Sequence, residues 1–245
     1  MRSAAGSLTV LSMSRLRIDV WSDIACPWCY VGKRHLEQAL ASFPEKDSVE
    51  VVWHAFELNP SAPRETKEEG PYAKRLANKY GMSLEEAQRR IDHLVNVGKA
   101  DGLTLDFQRI RPGNTFDAHR VVHYAREVGL QDAVKERLLR GYLSEGEAIG
   151  DPEVVLRLAS DAGLDTDRVS AILASDSYAR EVRTDEAEAQ RLGIQGVPFF
   201  VVGGRYALSG AQPAELMSRA LSQAWSELSA PVEFAEGAAC GPDGC

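Results

Sequence analysis

The stretch 19–30, Asp-Val-Trp-Ser-Asp-Ile-Ala-Cys-Pro-Trp-Cys-Tyr, passes from an apolar strand-like run into the start of a helix and carries two cysteines in C-x-x-C spacing. Pro27 is the residue type expected at the first helical position, and two intervening residues place Cys26 and Cys29 one helical turn apart, within disulfide range. Cys26 is therefore predicted at a helix N-terminus. The free N–H groups and partial positive charge there favour a thiolate and lower the pKa of a thiol from about 8.5.

The C-x-x-C spacing predicts redox chemistry. We expect Cys26, at the exposed end of the helix, to attack a disulfide, and Cys29, one turn further in and more buried, to resolve the mixed disulfide. A structural disulfide and half of a zinc site are the alternatives for this spacing. A zinc site would need a second pair of thiols, and no cysteine lies between residues 30 and 239.

The charge balance argues against nucleic acid and anionic membranes as partners. The 245 residues include 28 Lys and Arg against 36 Asp and Glu, a formal charge of -8 at pH 7, whereas such partners select for basic patches. Residues 1–15 lack a continuous apolar run, so no signal peptide is predicted, and no stretch resembles a membrane span. We expect a cytoplasmic protein that starts at Met1 or Met13. In that compartment a C-x-x-C is more often catalytic or metal-binding than structural.

Alternating strand and helix signals predict an α/β fold in two halves. Residues 16–21 and 49–58 read as strands on either side of a helix over 27–43, which makes a right-handed βαβ unit. Helical periodicity then continues to Gly193 in about six segments, followed by a β-hairpin over 194–209 and a closing helix over 213–228. The predicted organisation is a flexible extension over 1–15, an N-terminal half over 16–65, an all-helical insertion over 66–193, a C-terminal half over 194–229 and a flexible tail over 230–245.

Five short motifs along the chain carry a resemblance to a known family. They are Cys26-Pro-Trp-Cys-Tyr30, Phe56-Glu-Leu-Asn-Pro60, Asn114-Thr115 with Ala118-His-Arg120, Gly196-Val-Pro-Phe-Phe200 and Ser209-Gly-Ala-Gln212. Together they resemble the FrnE-like branch of the DsbA family of the thioredoxin-like superfamily, over about residues 16–228. The resemblance implies a thioredoxin-like fold, with a βαβ half and a β-hairpin-α half around the helical insertion, and thiol-disulfide oxidoreductase activity.

The resemblance also implies a substrate-binding loop. Val197 and Pro198 resemble the loop that faces the C-x-x-C with its proline in cis, and there the backbone of Val197 would pair with an extended substrate peptide. An ordinary proline at a strand start is the alternative. Pro27 and Trp28, between the cysteines, are expected to contact the substrate as well.

Two further expectations concern the electrostatics of the cysteines. With a one-residue offset, Asp19 matches a buried acid that lies beneath the cysteines in DsbA. By this resemblance, Asp19 would take the proton of Cys29, and burial would raise the pKa of Asp19. Asp23 competes for this role, and a solvated aspartate at a strand edge is the other interpretation of Asp19. Pro27-Trp28 places no cation between the cysteines, so the helix end must supply most of the thiolate stabilisation. We therefore expect a less oxidising protein than periplasmic DsbA.

No cofactor and no metal are predicted. His119 and His123 have the i, i+4 spacing of two ligands on one helix, but no third ligand has matching spacing. The unusual feature is Cys240-Gly-Pro-Asp-Gly-Cys245, in which glycine and proline predict a turn that brings the two thiols into disulfide range. Three interpretations compete: an accessory redox pair that exchanges with Cys26 and Cys29, which we place first, an inert tail, and a zinc site shared by both pairs.

The main functional hypothesis is a cytoplasmic disulfide oxidoreductase or isomerase acting on protein thiols and disulfides or on small thiols such as glutathione, as a monomer or homodimer. The alternative is a glutathione-dependent small-molecule enzyme, since 2-hydroxychromene-2-carboxylate isomerases and kappa-class transferases share the fold and FrnE-type proteins are linked by name to polyketide pathways. Those enzymes generally use serine or one thiol where this chain has two. A third hypothesis is a redox sensor or metal buffer that acts through Cys240 and Cys245.

Overall fold

The computed structural model describes residues 15–64 and 70–228. The strands are β1 (Leu16–Ser22), β2 (Val49–Ala55), β3 (Phe199–Val202) and β4 (Tyr206–Ser209). The α-helices are α1 (Pro27–Ala41), α2 (Tyr72–Tyr80), α3 (Leu84–Ala100), α4 (Phe116–Glu127), α5 (Gln131–Arg140), α6 (Pro152–Asp161), α7 (Thr166–Leu173), α8 (Ala179–Arg191) and α9 (Ala214–Leu228). A 3-10 turn, Lys46–Ser48, precedes β2, and a π-helical turn, Gly141–Glu145, follows α5.

The four strands form one mixed sheet in the order β2-β1-β3-β4. β1 and β2 are parallel, whereas β1 pairs antiparallel with β3, and β3 with β4. These pairings confirm the predicted βαβ unit and the later hairpin. Side chains alternate along β1, so that Leu16, Ile18 and Val20 join the main core while Trp21 packs in a second cluster with Ala189 of α8.

Seven helices, α2 to α8, make up the insertion between the two halves within the described residues, against about six segments predicted. Several have the caps that the sequence indicates: Ser83 Oγ accepts the Glu86 N–H at 3.1 Å, and Asp151 caps α6. Helices α5 and α8 pack against β2, and α4 packs against both of them. The insertion therefore covers the edge of the sheet next to the C-x-x-C turn.

Two elements end earlier than predicted: the helix predicted to reach residue 43 and the strand predicted to reach residue 58. Helix α1 ends at Ala41, and Pro44 follows closely, where a helix cannot continue. Strand β2 ends at Ala55 because its partner β1 ends in register at Ser22, and the chain then turns so that the Leu58 N–H bonds to Asp23 Oδ2 at 2.8 Å.

Some predictions fall outside the described residues. They concern the extension before residue 15 with its Met1 or Met13 start, residues 65–69, and the tail with Cys240 and Cys245. None of the helices in the described ranges has the length and apolar character needed to cross a membrane.

Candidate active site

The two cysteines of the C-x-x-C lie where β1 gives way to α1. Pro27 is the first residue of α1 and Cys26 is its N-cap, with extended backbone. The Cys29 N–H donates to the Cys26 carbonyl at 3.0 Å, and both cysteines are free thiols. The predicted placement of Cys26 at a helix N-terminus is confirmed.

The burial of Cys26 differs from the expectation. Cys26 is only 5% exposed and Cys29 is 0% exposed, whereas Trp28 between them is 39% exposed. The expected lowering of the Cys26 pKa is also wrong. The hydrogen bond to Cys29, then burial, then the charge of Cys29 raise the pKa of Cys26 well above its usual value. Two adjacent thiols titrate as a coupled pair, so the loss of a proton from one makes the loss of a proton from the other less favourable.

The loop before β3 faces Cys26. The Val197–Pro198 peptide bond is cis, as predicted, and Cys26 Sγ donates to the Val197 carbonyl at 3.4 Å. Pro198 is buried while Val197 is half-buried. Helix α1 presents Gly32 to this loop, and a Cβ on Gly32 would lie 2.9 Å from Pro198 Cγ. Glycine is therefore required at this close approach of helix and loop.

Asp23 lies in the turn just before Cys26 and is almost completely buried, at 1% exposure. Its carboxylate accepts the N–H groups of Ala25 at 3.3 Å and Leu58 at 2.8 Å, and His119 Nε2 of α4 lies 3.4 Å away. Burial alone would raise the pKa of Asp23, but the hydrogen bond and charge of His119, followed by the Leu58 N–H and Thr115, lower it. Burial in turn lowers the pKa of His119. This pair is therefore a carboxylate beside a neutral imidazole.

A buried lysine, which the sequence analysis missed, lies close to the same turn. Lys135 of α5 is 0% exposed, and its Nζ donates to the Ser22 carbonyl at 3.2 Å. The ammonium also lies 5.8 Å from the Trp53 ring centroid. Burial lowers the pKa of Lys135 to about 8, against the opposing charges of Cys29 and then Asp23. A buried cation therefore lies beside the turn that precedes the cysteines, although the two residues between the cysteines are uncharged.

Asp19 does not take the place expected of it. Its Oδ1 atom accepts a hydrogen bond from Arg17 Nε at 2.9 Å and lies 2.6 Å from His54 Nε2. Burial alone would raise the pKa of Asp19, but the bonds from His54 and Arg17 lower it. His54 in turn contacts Asp185 of α8, with 2.7 Å between Nδ1 and Oδ1. We correct the prediction accordingly: Asp19 is an ionised member of a network at the sheet, and Asp23 is the buried carboxylate beside the cysteines.

His119 and His123 share a helix face but have different partners. His119 faces Asp23, whereas His123 Nε2 lies 2.9 Å from Asp185 Oδ2. Within residues 15–64 and 70–228, no group of three His, Cys, Asp or Glu side chains is arranged to hold a metal ion.

A single cleft brings the predicted substrate-binding residues together. Its volume is about 1630 Å³, and its walls include Cys26, Pro27, Trp28 and Val197. The far wall comes from the insertion helices α2 and α3. Its charged lining residues are Asp23, Arg75, Lys79, Glu86, Arg89 and Arg90.

Comparison with known proteins identifies the family to which this fold belongs. A family model described as a DSBA-like thioredoxin domain matches residues 17–222. The chain belongs to the DSBA-like thioredoxin domain family. This DSBA-like protein is 47% identical to a probable DsbA oxidoreductase from Streptomyces coelicolor, whose crystal structure aligns with a TM-score of 0.82 over 94% of this chain and 98% of the other.

Two more distant structures share the fold of the DSBA-like protein. A 2-hydroxychromene-2-carboxylate isomerase is 15% identical, with a TM-score of 0.64 over 86% of this chain and 97% of its own. The cytosolic disulfide reductase DsbM from Pseudomonas aeruginosa, determined with GSH, is 18% identical, with a TM-score of 0.54 over 87% and 96% of the two chains. The predicted thioredoxin-like fold is confirmed, and the family and the Streptomyces relative support thiol-disulfide oxidoreductase activity.

Proposed function

We propose that this DSBA-like protein exchanges disulfides with cysteine pairs of protein substrates and that Cys26 is the attacking sulfur. One observation carries the assignment of roles. Cys26 lines the cleft and its Sγ bonds to the Val197 carbonyl, whereas Cys29 is completely buried one turn along α1. A substrate disulfide in the cleft meets Cys26 first.

The exchange needs no group beyond the two cysteines and the substrate. Once its thiol has lost its proton to water, Cys26 attacks one sulfur of the substrate disulfide, and the other substrate sulfur leaves as a thiolate and takes up a proton. Cys29 then loses its proton to water and attacks Cys26 Sγ, which breaks the mixed disulfide and releases the second substrate sulfur as a thiolate that takes up a proton. Two electrons pass to the substrate, and the protein pair becomes a disulfide. The reverse sequence oxidises a substrate dithiol.

The dimensions of the cleft favour a polypeptide substrate. Small-molecule sites typically measure roughly 300–1,000 Å³, and this cleft is larger, at about 1630 Å³. Trp28, Leu58 and Tyr80 line it and are exposed, so they offer apolar surface to the side chains of an extended segment. The backbone of Val197, beside Cys26, would pair with that segment as an added strand does.

The proposal also covers the cellular compartment of the protein and the thiols that return the C-x-x-C pair to its starting redox state. The cysteine usage favours a reducing compartment, the cytoplasm, because no cysteine between residues 30 and 239 is available for a structural disulfide. We further propose that Cys240 and Cys245 exchange with the C-x-x-C pair, a role supported by the turn-forming Gly-Pro-Asp-Gly between them. The motifs quoted above support placement in the FrnE-like branch.

Reduction of insulin disulfides by the wild-type protein, with a small thiol as electron source, tests this function. We expect catalysed reduction well above the uncatalysed rate, together with weak glutathione binding, because the second cysteine resolves any glutathione adduct. Absent reductase activity combined with tight, saturable glutathione binding would instead support the small-molecule isomerase or transferase.

A further inference from the structure

Lys135 differs from the other fully buried lysine in what surrounds its ammonium. Lys33 of α1, at similar burial, is paired with the carboxylates of Glu37, Asp132 and Glu136. Among the described residues, Lys135 Nζ has one hydrogen-bond acceptor, the neutral Ser22 carbonyl. Its other contact is with the face of the Trp53 ring. A lysine ammonium has three hydrogen-bond donors. A buried charge with this few partners is costly unless an anion lies close to it.

Among the described residues, two anionic groups favour the charge on Lys135 most strongly. They are Asp23, in the turn after β1, and the cysteine pair at the start of α1. Asp23 already accepts bonds from Ala25 and Leu58 and faces His119. In the described part of the chain, no ion pair joins the Asp23 carboxylate to Lys135. The anion that remains available to this ammonium is the thiolate of the cysteine pair.

We propose that Lys135 is the buried counter-ion of the active-site thiolate and sets the redox poise of the Cys26/Cys29 pair. The inference rests on the proposed function of that pair. In the reduced protein the thiolate compensates the ammonium, whereas the disulfide of the oxidised protein carries no charge and leaves the ammonium with Asp23 alone. Lys135 thus stabilises the reduced form relative to the oxidised form and makes the protein a stronger oxidant.

Other charged groups modulate this effect without replacing it. Asp23 opposes a thiolate on Cys26 and supports the charge on Lys135, and Lys33 opposes that charge from α1. His119 of α4 loses protons more easily because of Lys135, although burial is the main reason that its pKa is low. With Asp23 ionised and His119 neutral, removing Lys135 would leave the thiolate facing a carboxylate without a cation.

Lys135→Met tests the proposal, because methionine has a similar length and no charge. In the reduced variant we expect the ultraviolet absorbance of the thiolate to appear at higher pH than in the wild type. We expect the equilibrium with glutathione to shift about tenfold toward the oxidised protein, which corresponds to a reduction potential about 30 mV lower. The oxidised variant should gain stability relative to its reduced form.

Lys33→Met is the matched control. It removes a positive charge at equal burial but leaves three carboxylates without their partner, so it should lower stability and change the glutathione equilibrium less than threefold. A folded Lys135→Met protein with unchanged thiolate titration and unchanged glutathione equilibrium would overturn the proposal.

A second measurement covers the case in which Lys135→Met does not fold. The side-chain resonance of Lys135 in the wild type can be titrated by NMR in the reduced and oxidised states. We expect a higher Lys135 pKa in the reduced protein, and equal values would overturn the proposal. Neither titration needs a substrate. If the protein fails to reduce insulin, the proposed function is refuted, but the two titrations still show whether Lys135 interacts with the thiolate.

Discussion

Replacing Cys26 with serine should lower the rate of disulfide reduction by about three orders of magnitude or more, a loss comparable to that from removing other catalytic nucleophiles. A serine hydroxyl does not ionise near neutral pH and cannot form a disulfide. Cys26 lines the cleft and contacts the Val197 carbonyl, so no other thiol of the described residues is placed to receive the substrate. Initial rates of insulin reduction measure the loss.

Cys29→Ser is the matched control, because it makes the same atomic change one turn along the same helix. It should still release one substrate thiol per protein in a single turnover and then stop as a mixed disulfide, since the first attack does not form a bond to Cys29. The assignment of roles would be contradicted if Cys26→Ser retained the single-turnover release and Cys29→Ser lost it.

The second large effect concerns stability. Asp185→Asn should lower the free energy of unfolding by about 3 kcal/mol, because breaking a buried ion pair leaves a charge without its partner. Asp185 of α8 lies 2.7 Å from His54 Nδ1 and accepts the Ala55 N–H at 2.8 Å. Its other neighbour is His123 of α4, with 2.9 Å between Nε2 and Oδ2. These contacts hold the insertion against β2. Urea denaturation measures the change.

The size of this loss should depend on pH. Burial opposes the charge of Asp185, but the bonds from His123 and His54 lower its pKa far below the usual value, so its contribution is present above about pH 4 and lost as pH falls. Burial likewise opposes the charge of His54, but the bonds to Asp185 and Asp19 raise its pKa. Its contribution is full below about pH 6.5 and lost as pH rises through the folded-state pKa.

The difference between wild type and Asp185→Asn should therefore be largest between about pH 4 and 6.5. Asp176→Asn, a change of the same kind at an exposed position, should leave stability unchanged throughout. A difference that is independent of pH, or equal losses for the two variants, would show that the network does not act through charge.

Those parts of the site that depend on a few neighbouring residues could be predicted from the sequence. The strand before the cysteines, Pro27 at the start of α1 and the cis Val197–Pro198 bond each rest on a short motif. The side of the sheet on which Asp19 lies could also be predicted, because side chains alternate along β1. Leu16, Ile18 and Val20 share the core face, so Asp19 points with Trp21 to the other side. That pattern argued against a place beneath the cysteines.

Long-range packing decides what the sequence could not show. Lys135 bonds to Ser22 across 113 residues of chain, and no local pattern gives the register in which α5 packs against the sheet. A signal for Lys135 itself does exist, because it falls in the buried stripe of α5 with Gln131, Val134 and Leu138, where a lysine needs a partner. The burial of Cys26 has the same origin, since the distant Val197 loop covers it.

The most direct test of the central claim is to trap substrates with Cys29→Ser in cells and identify the adducts by mass spectrometry. We predict mixed disulfides between Cys26 and cysteines of polypeptide substrates. Adducts confined to Cys240 or Cys245, with Cys26 unmodified, would contradict the assignment of Cys26 as the sulfur that meets the substrate.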